Sequence, residues 1–248
     1  MVNIPKDHPR YQSLMTREKI TEAIESGICS PIGLIAHGRG EALDYLIGEE
    51  TITPALMATR VSVAMLLLAD RPVLSVNGNT AALVPDEIVS LGDVLNARLE
   101  VNLFYRTEER VHRIVERLRE CGAEEVFGEE PDARIPGIEH ARSKAYKDGI
   151  YSADVVLVPL EDGDRCKALV DMGKCVITID LNPLSRTSQT ATVTIVDNII
   201  RVIPNMISMA REMKASEESV LKELAENFDN KRNLKDVIAY IGSRLSGL

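Results

Sequence analysis

The stretch Cys175–Ile207 reads CVITIDLNPLSRTSQTATVTIVDNIIRVIPNMI, and its alternations decide the fold. A short β-branched run, Val176–Ile179, ends in Asp180. A polar loop follows with Asn182, Arg186, Thr187 and Ser188. A second alternating strand, Thr190–Val196, leads to Asp197 and Asn198, which open an apolar helix. Buried strand, polar loop, strand and helix are the units of an open α/β sheet, whose ligands sit outside the carboxyl ends of the strands. Acceptor, amide, guanidinium and hydroxyl gathered in so few residues point to an anionic, nucleotide-like ligand. The competing reading is a polar loop that merely caps two core strands.

Working outward, Asp154–Leu160 (DVVLVPL) is an all-apolar strand and Asp162–Met172 a helix. Further upstream, Val73–Val76, Leu99–Phe104 and Glu125–Gly128 read as strands. A helix through Asn96 starts at Pro85-Asp86, and Thr107–Cys121 forms an amphipathic helix on Val111, Ile114, Val115 and Leu118. The interval Glu129–Tyr151 is charged and loop-rich and ends in a short helix. Strands alternating with helices of this length predict a mostly parallel, Rossmann-like sheet with helices on both faces. The dinucleotide fingerprint G-x-G-x-x-G is absent, with N-G-N-T-A-A at 77–82 its nearest approach, and there is no Walker A loop. A dehydrogenase or P-loop enzyme is therefore disfavoured.

The N-terminal part, residues 1–70, reads as helical. Arg10–Gly27 carries an apolar stripe of Leu14, Ile20, Ala23 and Ile24, with Arg17 near its edge; periodicity alone makes Arg17 a solvated helix arginine. In Ser30–Leu46, the run His37-Gly38-Arg39-Gly40 places glycines around an arginine at an expected helix start, a pattern that lets backbone N–H groups approach an anion. His37 is equally readable as a satisfied turn histidine. Thr53–Ala69 is an apolar helix with a Thr cap and Pro54 in its first turn. Residues 71–212 form the Rossmann-like core and 213–248 two appended helices, all within one domain spanning 1–248.

A length of 248 residues suffices for a sizeable core, and 45% hydrophobic with 27% charged residues is a globular composition. A net charge of −9 argues against a nucleic-acid partner. Met1–Ile20 lacks a signal-peptide core, and Val61–Ala69 is too short to span a bilayer, so a cytoplasmic location without membrane contact is expected. Cys29, Cys121, Cys166 and Cys175 are widely spaced, against both a zinc site and a disulfide framework.

Four blocks carry a resemblance: IPKDHPRY at 4–11, GLIAHGRGEALDYLIGE at 33–49, SVNGNTAALVP at 75–85 and TIDLNPLSRTSQTATVTIVDNIIRVIPNM at 178–206. Together they resemble the archaeal phosphopantothenate synthetase family, 4-phosphopantoate–β-alanine ligases of coenzyme A biosynthesis, over essentially the whole length. The resemblance implies ATP-dependent amide formation on a dimeric Rossmann-like scaffold. It places ATP contacts at Arg17, Arg39, Asp180, Leu181, Asn182, Arg186, Thr187, Asn198 and Ile199. A homodimer is implied, and ATP brings an expectation of Mg²⁺, with its ligands unassigned.

Residue chemistry agrees. A carboxylate is a poor acyl donor, so the expected course is an acyl-adenylate with release of pyrophosphate, then displacement of AMP by the amine. Such a site positions anions and neutralises developing charge. Arg17, Arg39 and Arg186 suit phosphate clamping, Arg39 being the expected catalytic residue. Asp180 and Asn182 suit ribose hydroxyls or base edges, or Asp180 the Mg²⁺ ion. Thr187 offers a hydroxyl to phosphate, and Asn198 either caps a helix or meets the nucleotide. For the phosphopantoate side, Asn77, Asn79 and Thr80 at a strand's carboxyl end and His37 beside Arg39 are the candidates, against a structural turn at Asn77–Thr80. The rivals to a ligase are a catalytically silent nucleotide-binding regulator and a Rossmann oxidoreductase.

Overall fold

The computed structural model describes residues 5–8 and 10–247. Of the N-terminal block at 4–11, Ile4 and Pro9 lie outside the described residues, as do residues 1–4 of the expected helical part and Leu248 of the tail. Three helices come first: α1 (Tyr11–Glu25), α2 (Gly33–Ile47) and α3 (Thr53–Leu68). Then follow β1 (Pro72–Val76), α4 (Gly78–Leu83), α5 (Pro85–Leu95), β2 (Arg98–Val101), α6 (Glu108–Glu120), β3 (Val126–Phe127), β4 (Ala133–Arg134) and β5 (Lys144–Ala145). The chain continues through β6 (Val155–Pro159), α7 (Gly163–Asp171), β7 (Cys175–Asp180), α8 (Arg186–Thr190) and β8 (Val193–Val196). It closes with α9 (Ile199–Met213), α10 (Glu218–Glu226) and α11 (Asn230–Ser246).

Six strands make one sheet in the order β3-β2-β1-β6-β7-β8, every pairing parallel. Alternate residues serve opposite faces, as the two-residue repeat of a strand requires. Leu74, Val76, Leu157, Ile177 and Ile179 join the larger core, made with α3, α5, α6 and α9. Val73, Val156, Val158 and Val176 join the smaller one, with Cys166 and Leu169 of α7 and Ile135, Ala145 and Ile150 of the 129–151 interval. The Rossmann-like expectation holds. Strand order reverses between β1 and β6, which opens a crevice at their carboxyl ends.

Local corrections have local causes. Thr190 belongs to α8, not to a strand: Ser185 caps that short helix by accepting from the Ser188 N–H at 2.9 Å, so the last strand begins only at Val193. Thr53 is the first residue of α3 rather than its cap, and Ile52 precedes it without a side-chain cap. The strand expected at Leu99–Phe104 stops at Val101. The loop-rich interval folds into the β4–β5 antiparallel ribbon and one π-helical turn at Lys147–Tyr151.

That turn is pinned from the sheet. Glu100 is buried, and its two carboxylate oxygens accept the backbone N–H groups of Tyr146 (3.2 Å) and Ile150 (2.7 Å). Burial nevertheless pushes this carboxyl up to about 7. A carboxyl raised in the folded state holds its proton while the unfolded chain releases it. Stability is therefore full below about pH 4.5 and falls as pH rises to about 7, by up to roughly 3 kcal/mol from this residue. Glu100→Gln should flatten that fall in urea midpoints measured across the interval; an unchanged pH profile would dismiss Glu100 as its source.

Candidate active site

Helix α2 lies across the carboxyl edge of the sheet and touches it at both ends. Near its start, a Cβ on Gly33 would stand 2.5 Å from Asn79 Oδ1 and collide with Cys29 Sγ. Two turns on, a Cβ on Gly40 would stand 3.3 Å from Asn198 Nδ2 and 3.6 Å from Leu181 Cδ1. In His37-Gly38-Arg39-Gly40, Gly40 thus serves helix packing, while a Cβ on exposed Gly38 would meet nothing within 4 Å. The run sits mid-helix, so its backbone N–H groups are not available to an anion in the way a helix start would allow. The expected anion nest at this point is overturned.

Successive helix residues turn by about 100°, so Glu41 and Arg39 project from nearly opposite flanks of α2. The flank of His37, Glu41 and Asp44 borders a concavity shared with Ser13 of α1, Asn198 just before α9 and Arg201 within it. Here Arg17 makes a bidentate pair with Glu41 (2.6 and 2.7 Å), and Ser13 Oγ donates to the same carboxylate at 2.9 Å. The Arg17 hydrogen bond is the chief reason the Glu41 carboxyl lies at about 2. Buried His37, with Nε2 3.5 Å from Glu41 Oε1, is pushed down by that burial and stays neutral at neutral pH. It does not share a pocket with Arg39, as the sequence had suggested.

Beyond Gly40, Asp44 accepts from Asn198 Nδ2 at 3.2 Å and pairs with Arg201, which also pairs with buried Asp197. Thr51 Oγ1 donates to Asp197 at 2.6 Å. Asn198 itself caps α9, accepting from the Ile200 N–H at 3.3 Å. Ile199 is buried behind it.

The β7 loop is built by its own side chains. Asp180 Oδ1 accepts the N–H groups of Leu181 (2.6 Å) and Asn182 (3.2 Å), and its Oδ2 accepts the Ser185 hydroxyl. Both oxygens are committed to shaping the loop. Asn182 is exposed; its Oδ1 accepts from the Leu184 N–H, leaving the amide nitrogen outward. Buried Thr187 donates to the Glu161 carbonyl at 2.8 Å, while Arg186 is exposed and pairs with Asp164. Arg39, on the outer flank of α2, is exposed and makes no hydrogen bond or ion pair among the described residues. The structure thus gathers Asp180–Asn182, Asn198 and Gly40 directly, and sets Arg17 on the opposite flank of α2 from Arg39.

The second concavity is the switch-point crevice, lined by Ser30, Ala36, Asn79, Tyr105, Arg110 and Arg142 among others. Here Asn77 caps α4, accepting from Thr80, and its Nδ2 donates to the Pro159 carbonyl at 2.7 Å. Asn79 accepts from the Cys29 thiol and donates to the Gly33 carbonyl. These contacts make Asn77–Thr80 a structural turn in the first place, one that fixes the crevice wall. Burial raises the four cysteines, Cys166 to about 12, so none is poised as a nucleophile.

The comparisons with known proteins fall on this geometry. A family model for phosphopantothenate/pantothenate synthetase matches residues 54–244. A protein of Thermococcus kodakarensis named 4-phosphopantoate–β-alanine ligase is 59% identical over 249 residues, covering 100% of this chain and 95% of that protein. Proteins of the same name from Methanosarcina mazei (57%, 99% and 96% coverage) and Methanospirillum hungatei (50%, 98% of each) align equally fully. The chain belongs to the phosphopantothenate/pantothenate synthetase family. The crevice of this synthetase also holds Arg110, a cation to which none of the sequence motifs points. The available clue was a cation in the first turn of a helix, where the macrodipole favours acidic residues such as Glu108 and Glu109.

Proposed function

We propose that this synthetase condenses 4-phosphopantoate with β-alanine to 4'-phosphopantothenate at the cost of ATP, in the cytoplasm and as a homodimer. The observation that carries the reading is α2 itself. One helix rests on the switch-point crevice through Gly33 and on the β7 loop and Asn198 through Gly40, so a nucleotide and an acid bound at the two ends face a common edge. The relatives' shared name supplies the substrates. Exposed apolar residues on α2, Ile35 and Leu34 among them, suit burial against a second copy.

In this reading ATP lies along Asp180–Asn182, Arg186–Thr187 and Asn198–Ile199, with Arg39 over its phosphates. The acid's carboxylate oxygen attacks the α-phosphorus, the bond to the bridging oxygen breaks and pyrophosphate leaves. The β-alanine amine then attacks the acyl carbon, loses a proton and expels AMP. Guanidinium groups offset the charge that builds on the phosphate oxygens. Among the described residues no three His, Cys, Asp or Glu side chains converge as a protein-built metal cage. An Mg²⁺ ion would enter on the nucleotide's own phosphates, keeping waters, in the manner usual for that ion.

AMP and pyrophosphate should form only when 4-phosphopantoate and β-alanine are both present with ATP. ADP with inorganic phosphate would overturn the adenylate course. Nucleotide binding without turnover would favour a regulator, the reading that binding measurements alone leave standing.

A further inference from the structure

The switch-point crevice is an open cleft between α2, α4 and the start of α6, of the concave kind that small molecules use. Its lining contains two arginines and no carboxylate. Arg142 is neutralised: its guanidinium meets Glu161 at 2.6 Å and Asp162 at 3.2 Å, and donates to the Asn102 carbonyl at 2.9 Å. Arg110 is not. It donates only to the backbone carbonyls of Tyr105 and Ile28, while its Nε is buried without a partner. The ionisable group it faces is the Cys29 thiol, neutral in its buried setting.

A half-buried guanidinium without a counter-charge is costly, and an anion arriving beside it would offset that cost. Arg110 also stands in the first turn of the 13-residue helix α6, whose N-terminal field adds to its own. Ile32, Ala36, Phe104 and Leu160 supply apolar wall, and Ser30, Asn77, Asn79 and Tyr105 supply uncharged polar groups. A site of this kind fits a short branched aliphatic chain ending in a dianion.

We infer that Arg110 holds the phosphate of 4-phosphopantoate, and so determines the preference for the phosphorylated acid. This rests on the proposed function and assigns its second substrate to the crevice, phosphate inward on Arg110 and carboxylate toward Arg39 and the β7 loop. Arg110 is a specificity residue; it takes no part in bond making.

The test is titration calorimetry of the full-length protein with 4-phosphopantoate, pantoate and ATP, on wild type, Arg110→Met and Arg110→Lys. Loss of charge-assisted hydrogen bonds should weaken 4-phosphopantoate by roughly 10–100-fold in Arg110→Met. Pantoate and ATP affinities should stay as in wild type, which also shows that the variant is folded. Arg110→Lys, with charge but no fork, should fall between. Equal losses for pantoate and 4-phosphopantoate, a loss confined to ATP, or no loss at all would each overturn the assignment. Turnover assays on the same samples separate the two readings: wild type that binds 4-phosphopantoate through Arg110 without forming product sinks the ligase reading and leaves this one standing.

Discussion

Arg39→Ala is expected to lower kcat/KM by roughly 10²–10³-fold, the usual cost of removing one donor aimed at transition-state charge, while the melting temperature stays put. Stability is spared because Arg39 is exposed and bonded to nothing among the described residues, and because arginine and alanine are both good helix formers. Activity is lost because of where α2 puts it. Arg39 lies one turn beyond Ala36, which lines the switch-point crevice, and next to Gly40, which rests on Leu181 and Asn198. A guanidinium there overlooks the seam between the crevice and the β7 loop, the places proposed for acid and nucleotide. Steady-state kinetics on Arg39→Ala and Arg39→Lys decide the point, with lysine recovering part of the loss through charge alone. Wild-type activity in the alanine variant removes Arg39 from the site.

Glu161→Ala should be the most destabilising single change. The Glu161 side chain is 2% exposed and pairs with Arg142 (5%) and Arg165 (0%), two buried guanidiniums. Arg165 already leaves Nε and one Nη without partners. Removing the shared carboxylate leaves buried Arg165 without its ion-pair partner and Arg142 with Asp162 alone, at a cost of about 3–5 kcal/mol, a large part of the 5–15 kcal/mol that holds a domain folded. Urea midpoints would register it, and Glu161→Gln, which keeps an acceptor oxygen, should lose less. Because Arg142 forms one wall of the crevice and ties the end of β2 to the start of α7, affinity for the acid should fall as well. A loss near zero would show that Arg165 reaches solvent or another anion.

How far the sequence reveals this molecule depends on the range of the interaction. The parallel sheet is legible because β1, β6 and β7 are buried on both faces and show it as short, mainly apolar runs, unbroken in β6. The β4–β5 ribbon is not, since its strands are two residues each and offer no period to read. The five-residue α8 hides within a polar loop, its cap at Ser185 looking like any other serine. At the site, the residues of the β7 loop are visible as a cluster because they are neighbours in the chain. What they bond to is not: the commitment of Asp180 to Ser185 and of Asn77 to Pro159 follows only from the folded loops. Arg110 is the clearest case, because its meaning lies in the carboxylate that is missing around it. The sequence cannot display a missing tertiary partner.

The contacts that bind α2 to the far end of the chain also set a timetable. Asp44 meets Asn198 and Arg201 across 154 and 157 residues of sequence, and Arg244 of α11 donates to the Leu46 carbonyl across 198. Long-range contacts of this kind form late, since the intervening chain must be closed first. During synthesis the first three helices leave the ribosome with Ile47, Ala55 and Val63 still lacking the strands and helices that cover them. The catalytic edge is therefore finished last, and a nascent chain cut short before α9 can carry every residue of the Gly33–Ile47 helix and still possess no active site.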